Sequence, residues 1–104
     1  MNFDVHENGD TATINFSGDI DMECSPRVRE AIQGLIGKTR SLTVNLAEVE
    51  VIDSTGIATL VEGMQQARRR GNQMLLGKVS PQVMKVLKLA NLDSVFKFTD
   101  PITD

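Results

Sequence analysis

Between residues 41 and 79 the chain changes its hydrophobic period twice, and that change limits what it can fold into. "SLTVNLAEVEVI" is rich in β-formers and places Leu42, Val44 and Leu46 on one face of a strand running to Ile52. After Asp53-Ser54-Thr55-Gly56 the apolar positions Ile57, Leu60, Val61 and Met64 recur at helical spacing, until Arg68-Arg69-Arg70-Gly71 ends the stripe. "QMLLGKV" then reads as a second buried strand. A strand, a helix and a strand in succession imply parallel pairing through a crossover. The rest of the chain extends that unit. "FDVHE" and "TATINFSG" flank "NGD", a strong turn signal, and predict an antiparallel hairpin. "SPRVREAIQGLIG" predicts a helix with Ser25 as N-cap, Pro26 at the first helical position and a stop at Gly37. Its core stripe is Val28, Ala31, Ile32, Leu35 and Ile36. Ser80-Pro81 repeats the cap-and-proline start ahead of Val83, Val86, Leu87 and Ala90, and "SVFKF" reads as a short last strand. The expectation is an α/β fold in the order β-β-α-β-α-β-α-β, a mixed sheet with parallel middle strands and helices mainly on one face, forming one domain over residues 1–104.

Composition narrows the function classes. A chain of 104 residues with 40% hydrophobic and 24% charged residues can bury one core without staples. Its net charge of -3 gives no electrostatic reason to bind nucleic acid or an anionic membrane. Cys24 is alone, so no intrachain disulfide forms, which suits a reducing compartment. The first ten residues lack the apolar segment of a signal peptide, and no apolar run approaches a membrane span. A cytoplasmic protein without membrane insertion is expected.

The seam at Asp53 to Gly56 is the candidate site. It lies where a strand turns into a helix, outside the carboxyl ends of the strands, where ligands of open α/β sheets gather. Ser54 or Thr55 could serve only to cap the helix. The same helix start, with its free N–H groups, would also stabilise a phosphate attached to Ser54. Gly56, placed early in a helix at a cost of about 1 kcal/mol against Ala, suggests that something approaches closely there. Enzyme motifs are missing. A nucleophile elbow requires Gly where Ile52 stands. His6, the only histidine, lies in the first strand, away from any Ser-His-Asp set. No Walker loop or G-x-G-x-x-G appears. Asp19, Asp21 and Glu23 cluster in "GDIDMEC", but no second group of ligands joins them, so neither metal nor cofactor is expected.

The same residues resemble a known family. Asp53-Ser54-Thr55-Gly56 after an apolar strand resembles the D-S-[ST]-G phosphorylation motif of STAS domains, in particular the stand-alone bacterial anti-sigma factor antagonists. Gly18-Asp19-Ile20-Asp21 resembles the family's G-[DE]-hydrophobic-D segment, and "SPQVMKVLKLANLDSVFKF" its closing helix and strand. The resemblance covers essentially the whole chain. It implies a switch protein phosphorylated on Ser54; a non-enzymatic monomer is expected. The kinase would be the anti-sigma factor itself, with a histidine-kinase-like ATP-binding fold, and a metal-dependent Ser/Thr phosphatase would reverse the mark. The unphosphorylated form would bind the anti-sigma factor through Asp19, Asp21, Asp53, Ser54, Thr55 and Gly56, with Asp21 as the loop acid near the phosphosite. "GIATL" stands where "GLGVL" is more frequent in the family. The same domain type also serves in bacterial lipid-transport complexes, contacting a transporter ATPase, and in partner switches with outputs other than sigma factor, such as biofilm or secretion control. Both remain alternatives at the level of sequence.

Overall fold

A computed structural model describes residues 1–99. Its elements are β1 (Asn2–Asn8), β2 (Thr11–Ile20), α1 (Ser25–Ile36), β3 (Ser41–Ile52), α2 (Ser54–Arg69), β4 (Gln73–Val79), α3 (Pro81–Leu89) and β5 (Lys97–Phe98). The five strands form one sheet in chain order, with β1 antiparallel to β2 and every later pair parallel. The expected mixed sheet and element order are both present.

Each element follows from its residues. The hairpin turns on Gly9 and Asp10 between the paired residues Asn8 and Thr11. Gly9 carries the positive φ of 64° that the first position of a tight hairpin turn demands. In β2, Ala12, Ile14 and Phe16 are buried while Thr13 and Asn15 look to the other face; in β3, Leu42, Val44 and Leu46 alternate with Thr43 and Asn45 in the same way. The buried set joins Val28 and Ile32 of α1, Leu60 and Met64 of α2, and Val83 and Leu87 of α3 in one core. α1 and α2 lie against each other over the sheet, and Gly63 allows the close approach, because a Cβ there would come within 2.8 Å of Ile32. Val61, expected in the core, is only half-buried at its margin.

Three local expectations are corrected. The N-cap of α1 is Cys24, not Ser25. The Asp21 carboxylate accepts the amide N–H groups of Glu23 and Cys24, so the chain begins to turn before Ser25. Ser25 is thereby the first helical residue, and its hydroxyl donates back to the Asp21 carbonyl at 2.7 Å. The last strand is two residues, Lys97–Phe98, rather than the whole of "SVFKF", because Asp93 to Val95 form a turn that drops Phe96 into the core. Ala90 is exposed beyond the end of α3, so the stripe of that helix stops at Leu87.

One feature of the sheet positions the site. Ile20, the last residue of β2, pairs with Ile52, the last residue of β3. The ladder reaches that register only through shifts between Asn15 and Ser17 and between Gly18 and Ile20, with Gly18 at a φ of 85°. The β2–α1 and β3–α2 connections therefore leave the sheet side by side, and Asp53 N–H donates to the Ile20 carbonyl at 3.1 Å to join them.

Candidate functional site

Asp53 is the N-cap of α2, in extended conformation at φ -97° and ψ -177°. Its carboxylate gathers three donors. Oδ1 accepts the Thr55 hydroxyl at 2.6 Å and the Gly56 N–H at 2.9 Å, while Oδ2 accepts the Met22 N–H at 3.0 Å from the neighbouring connection. These bonds hold its carboxyl below the ordinary carboxylate value; the Thr55 hydroxyl contributes most, then the Gly56 N–H, with partial burial opposing and the Met22 N–H adding. The cap is thus Asp53, where the sequence left Ser54 and Thr55 as candidates.

That assignment separates the two hydroxyls of the motif. Thr55 is half-buried, its hydroxyl given to Asp53 and lying 3.2 Å from the Ser25 hydroxyl on α1. Ser54 occupies the first helical position and is exposed; among the described residues its hydroxyl engages no other side chain. Ser54 stands in the positive field of the helix start, beside a carboxylate that already holds the nearest capping donor.

Gly56 is buried. A Cβ on it would meet Ile52 at 2.7 Å, Ile20 at 2.8 Å and the Ile20 carbonyl at 3.1 Å. The close approach that the sequence suggested is therefore internal, α2 resting its first turn on the ends of β2 and β3, and Gly56 offers no surface to a partner. Asp21 shapes its own loop through the Glu23 and Cys24 amides. Asp19 is exposed at the end of β2, and its side chain makes no hydrogen bond among the described residues. The structure thus brings Asp53, Thr55 and Ser54 together with Met22 and Ser25, leaves Asp21 one layer away, and leaves Asp19 outside the network.

Sequence reasoning missed Met22 and Ser25. Met22 contributes a backbone N–H, which no side-chain pattern announces, and its own side chain is 70% exposed beside the motif. Ser25 looked like a cap, and only the early turn at Asp21 reveals it as a link to Thr55. Beside Ser54 a groove runs between α1 and α2, with Met22, Pro26 and Ala58 on its walls and the Arg29–Glu62 ion pair, 2.8 Å, across it. Among the described residues no group of three or more His, Cys, Asp or Glu side chains converges as metal ligands, and no helix is long and apolar enough to cross a membrane.

The five-stranded mixed sheet thus presents an exposed serine at an aspartate-capped helix start. The chain belongs to the STAS domain family, whose model matches residues 2–104. It is 25% identical over 95 residues to the anti-sigma-B factor antagonist of Bacillus subtilis (strain 168), an alignment covering 91% of this chain and 87% of that protein. Its fold is similar to the crystal structure of an anti-sigma factor antagonist from Mycobacterium paratuberculosis, with a TM-score of 0.84 at 22% identity over 99% of this chain and 87% of that one. It is also similar to the Bacillus cell fate determinant SpoIIAA in its phosphorylated form, with a TM-score of 0.75 at 19% identity over 96% and 93% of the two chains.

Proposed function

We propose that this protein is an anti-sigma factor antagonist, a binding protein and not an enzyme, whose contact with an anti-sigma factor is released by phosphorylation of Ser54. The exposure of Ser54 at the first position of α2, while the adjacent Thr55 hydroxyl is held by Asp53, is the observation that carries this reading. A kinase needs an accessible hydroxyl, and Ser54 has one. The name of the Bacillus subtilis relative and the match to the family along nearly the whole chain support the same assignment. The kinase in this reading is the anti-sigma factor, a metal-dependent phosphatase restores the hydroxyl, and the exchange takes place in the cytoplasm.

The site supplies a mechanism for release. A phosphate adds about -1.5 to -2 charges at pH 7. At Ser54 it would stand beside the Asp53 carboxylate, which already occupies the Gly56 and Met22 N–H groups. The cap leaves it few free donors, so its charge is directed outward, into any surface docked against the start of α2. A partner that buries Ser54 would have to desolvate that charge without a matching cation, and binding is lost without refolding of the domain.

The test is phosphorylation of the purified protein by the anti-sigma factor of the same organism with ATP, followed by mass spectrometry of the site. The mark belongs on Ser54, and Ser54→Ala should abolish it while leaving the protein able to bind. A phosphate found on Thr55, or unaltered labelling of Ser54→Ala, would overturn the proposal.

A further inference from the structure

Among the described residues the outer edge of β1 has no neighbour in the sheet, and all seven residues of the strand are exposed. Natural edge strands usually guard themselves with charged side chains, lysine above all, or with a proline, a bulge or a covering loop, and β1 carries two acids, Asp4 and Glu7. Asn2–Asn8 contains neither lysine nor proline, and its register against β2 runs from Asn2↔Ser17 to Asn8↔Thr11 without a shift. It is a straight, open template for another strand.

Which strand fits follows from parity. Asn8 and Thr11 flank a two-residue turn and so form the hydrogen-bonded pair that closes the hairpin. Alternation then gives the N–H and C=O groups of Asn2, Asp4 and His6 to β2 and turns those of Phe3, Val5 and Glu7 outward. We propose that this edge pairs antiparallel with β1 of a second copy of the chain, about a two-fold axis at Val5. In that register Val5 exchanges hydrogen bonds with Val5 of the second copy, and Phe3 with its Glu7, so every outward group of the strand finds a partner. Asp4 falls directly opposite His6 of the second copy, in the closer, non-hydrogen-bonded pairing that lets cross-strand side chains touch.

The side chains suit this register. Within one copy His6 Nε2 and Asp4 Oδ2 are 2.8 Å apart on the polar face and Asp4 Oδ2 also accepts Asn15 Nδ2 at 3.3 Å, which leaves Asp4 Oδ1 without a partner among the described residues and open to the imidazole of a second copy. A two-fold axis at Val5 lays that pair against its own reverse, carboxylate to imidazole on both sides. On the helix-covered face Phe3 and Val5 are each 37% exposed, two apolar side chains at the open margin of the core. The axis brings Val5 against Val5 and covers both margins with their own copies, as an isologous interface does. Glu7, facing Phe3 of the second copy, stays beside Lys38 at 3.3 Å. An axis at Glu7 would keep the parity but oppose two like charges, and an axis at Phe3 would pair fewer residues. The result is a sheet continuous through two copies, with β3 and the Ser54 connection two places in from the interface. The sequence alone suggested a monomer; the open edge of β1 and the self-complementary order of its side chains are what point to a dimer.

Sedimentation equilibrium of the full chain from about 10 μM to about 1 mM tests the proposal across the range expected of a modest interface. A monomer–dimer equilibrium is expected, and in hydrogen exchange the amides of Phe3, Val5 and Glu7 should gain protection as concentration rises. His6→Asp sets two acids against each other and should raise the dimer Kd by about tenfold or more. Adding Asp4→His to that variant restores opposite partners and should restore the dimer. Val5→Pro removes the central outward N–H at a position where an edge strand tolerates proline, and should leave a monomer. Should Val5→Pro fail to fold in thermal melts, His6→Asp with its Asp4→His partner and the amide protection decide by themselves. A chain that stays monomeric to about 1 mM, or a dimer indifferent to His6→Asp with no protection at Phe3, Val5 and Glu7, would overturn the proposal.

Discussion

At the start of α2 one carboxylate ties two connections together, and its protonation state is a handle on the site. Asp53 takes donors from Thr55, from Gly56 and, across the seam, from Met22. Because its folded pKa lies below the ordinary value of 3.8, the carboxylate contributes stability that is fully present above about pH 4. That contribution is lost as pH falls through the lower folded value. Denaturant titrations at descending pH should therefore show Asp53→Asn losing less stability below pH 4 than the wild type; equal acid slopes would deny Asp53 this role. Asp53→Ala, which removes the cap and the Met22 bridge together, should lower Tm by several degrees at neutral pH. Ser54 makes no comparable contact, so Ser54→Ala should melt close to the wild type, within about 0.5 kcal/mol. The two neighbours thus divide the work: Asp53 builds the helix start and Ser54 is displayed on it.

Among the elements, the fit of α2 to the sheet rests on the absence of a side chain at Gly56. Replacing a helical glycine by alanine ordinarily gains about 1 kcal/mol. Here the new methyl would sit 2.7 Å from Ile52 and 2.8 Å from Ile20, with the Ile20 carbonyl at 3.1 Å. The clash exceeds the helical gain, and Gly56→Ala should be net destabilising by about 1 to 3 kcal/mol in chemical denaturation. A stabilised variant would show that α2 can lift away from the strand ends. The start of α3 offers an independent check. Ser80 accepts the Val83 N–H and donates its hydroxyl to the Val49 carbonyl at 2.6 Å, both within the buried interior. Ser80→Ala removes the cap and strands that carbonyl, and should cost about 1 to 3 kcal/mol by the same measurement. Ser25, which shares the Ser-Pro signature, is not a cap, so the two serines should not be read alike.

Across the whole molecule, the parts legible in the sequence are those where one periodicity governs many residues. The alternation in β2 and β3 and the helical stripes of α1 and α2 gave the element order and most of the core, because burial selects the same face turn after turn. The last strand is shorter than its residue types suggest, because Val95 and Phe96 favour strands whereas Phe96 is buried in the core. At the site, Asp53 and Ser54 were visible as a pair and the resemblance pointed to Ser54 as the phosphorylated residue, but the capping role of Asp53 was not legible. Which residue caps and which is exposed depends on a backbone amide from Met22 and on where α1 begins, neither of which a side-chain pattern encodes. Gly56 was visible as an oddity, and only the positions of Ile20 and Ile52 explain it. The central claim, that a charge on Ser54 ejects a docked partner while the fold stays intact, is tested most directly by calorimetric titration of the anti-sigma factor with unmodified and Ser54-phosphorylated protein, alongside their thermal melts. Binding by the unmodified chain and a loss of at least about 1 to 3 kcal/mol on phosphorylation, with similar melting curves, is the predicted result. Equal affinity for the two forms would contradict it.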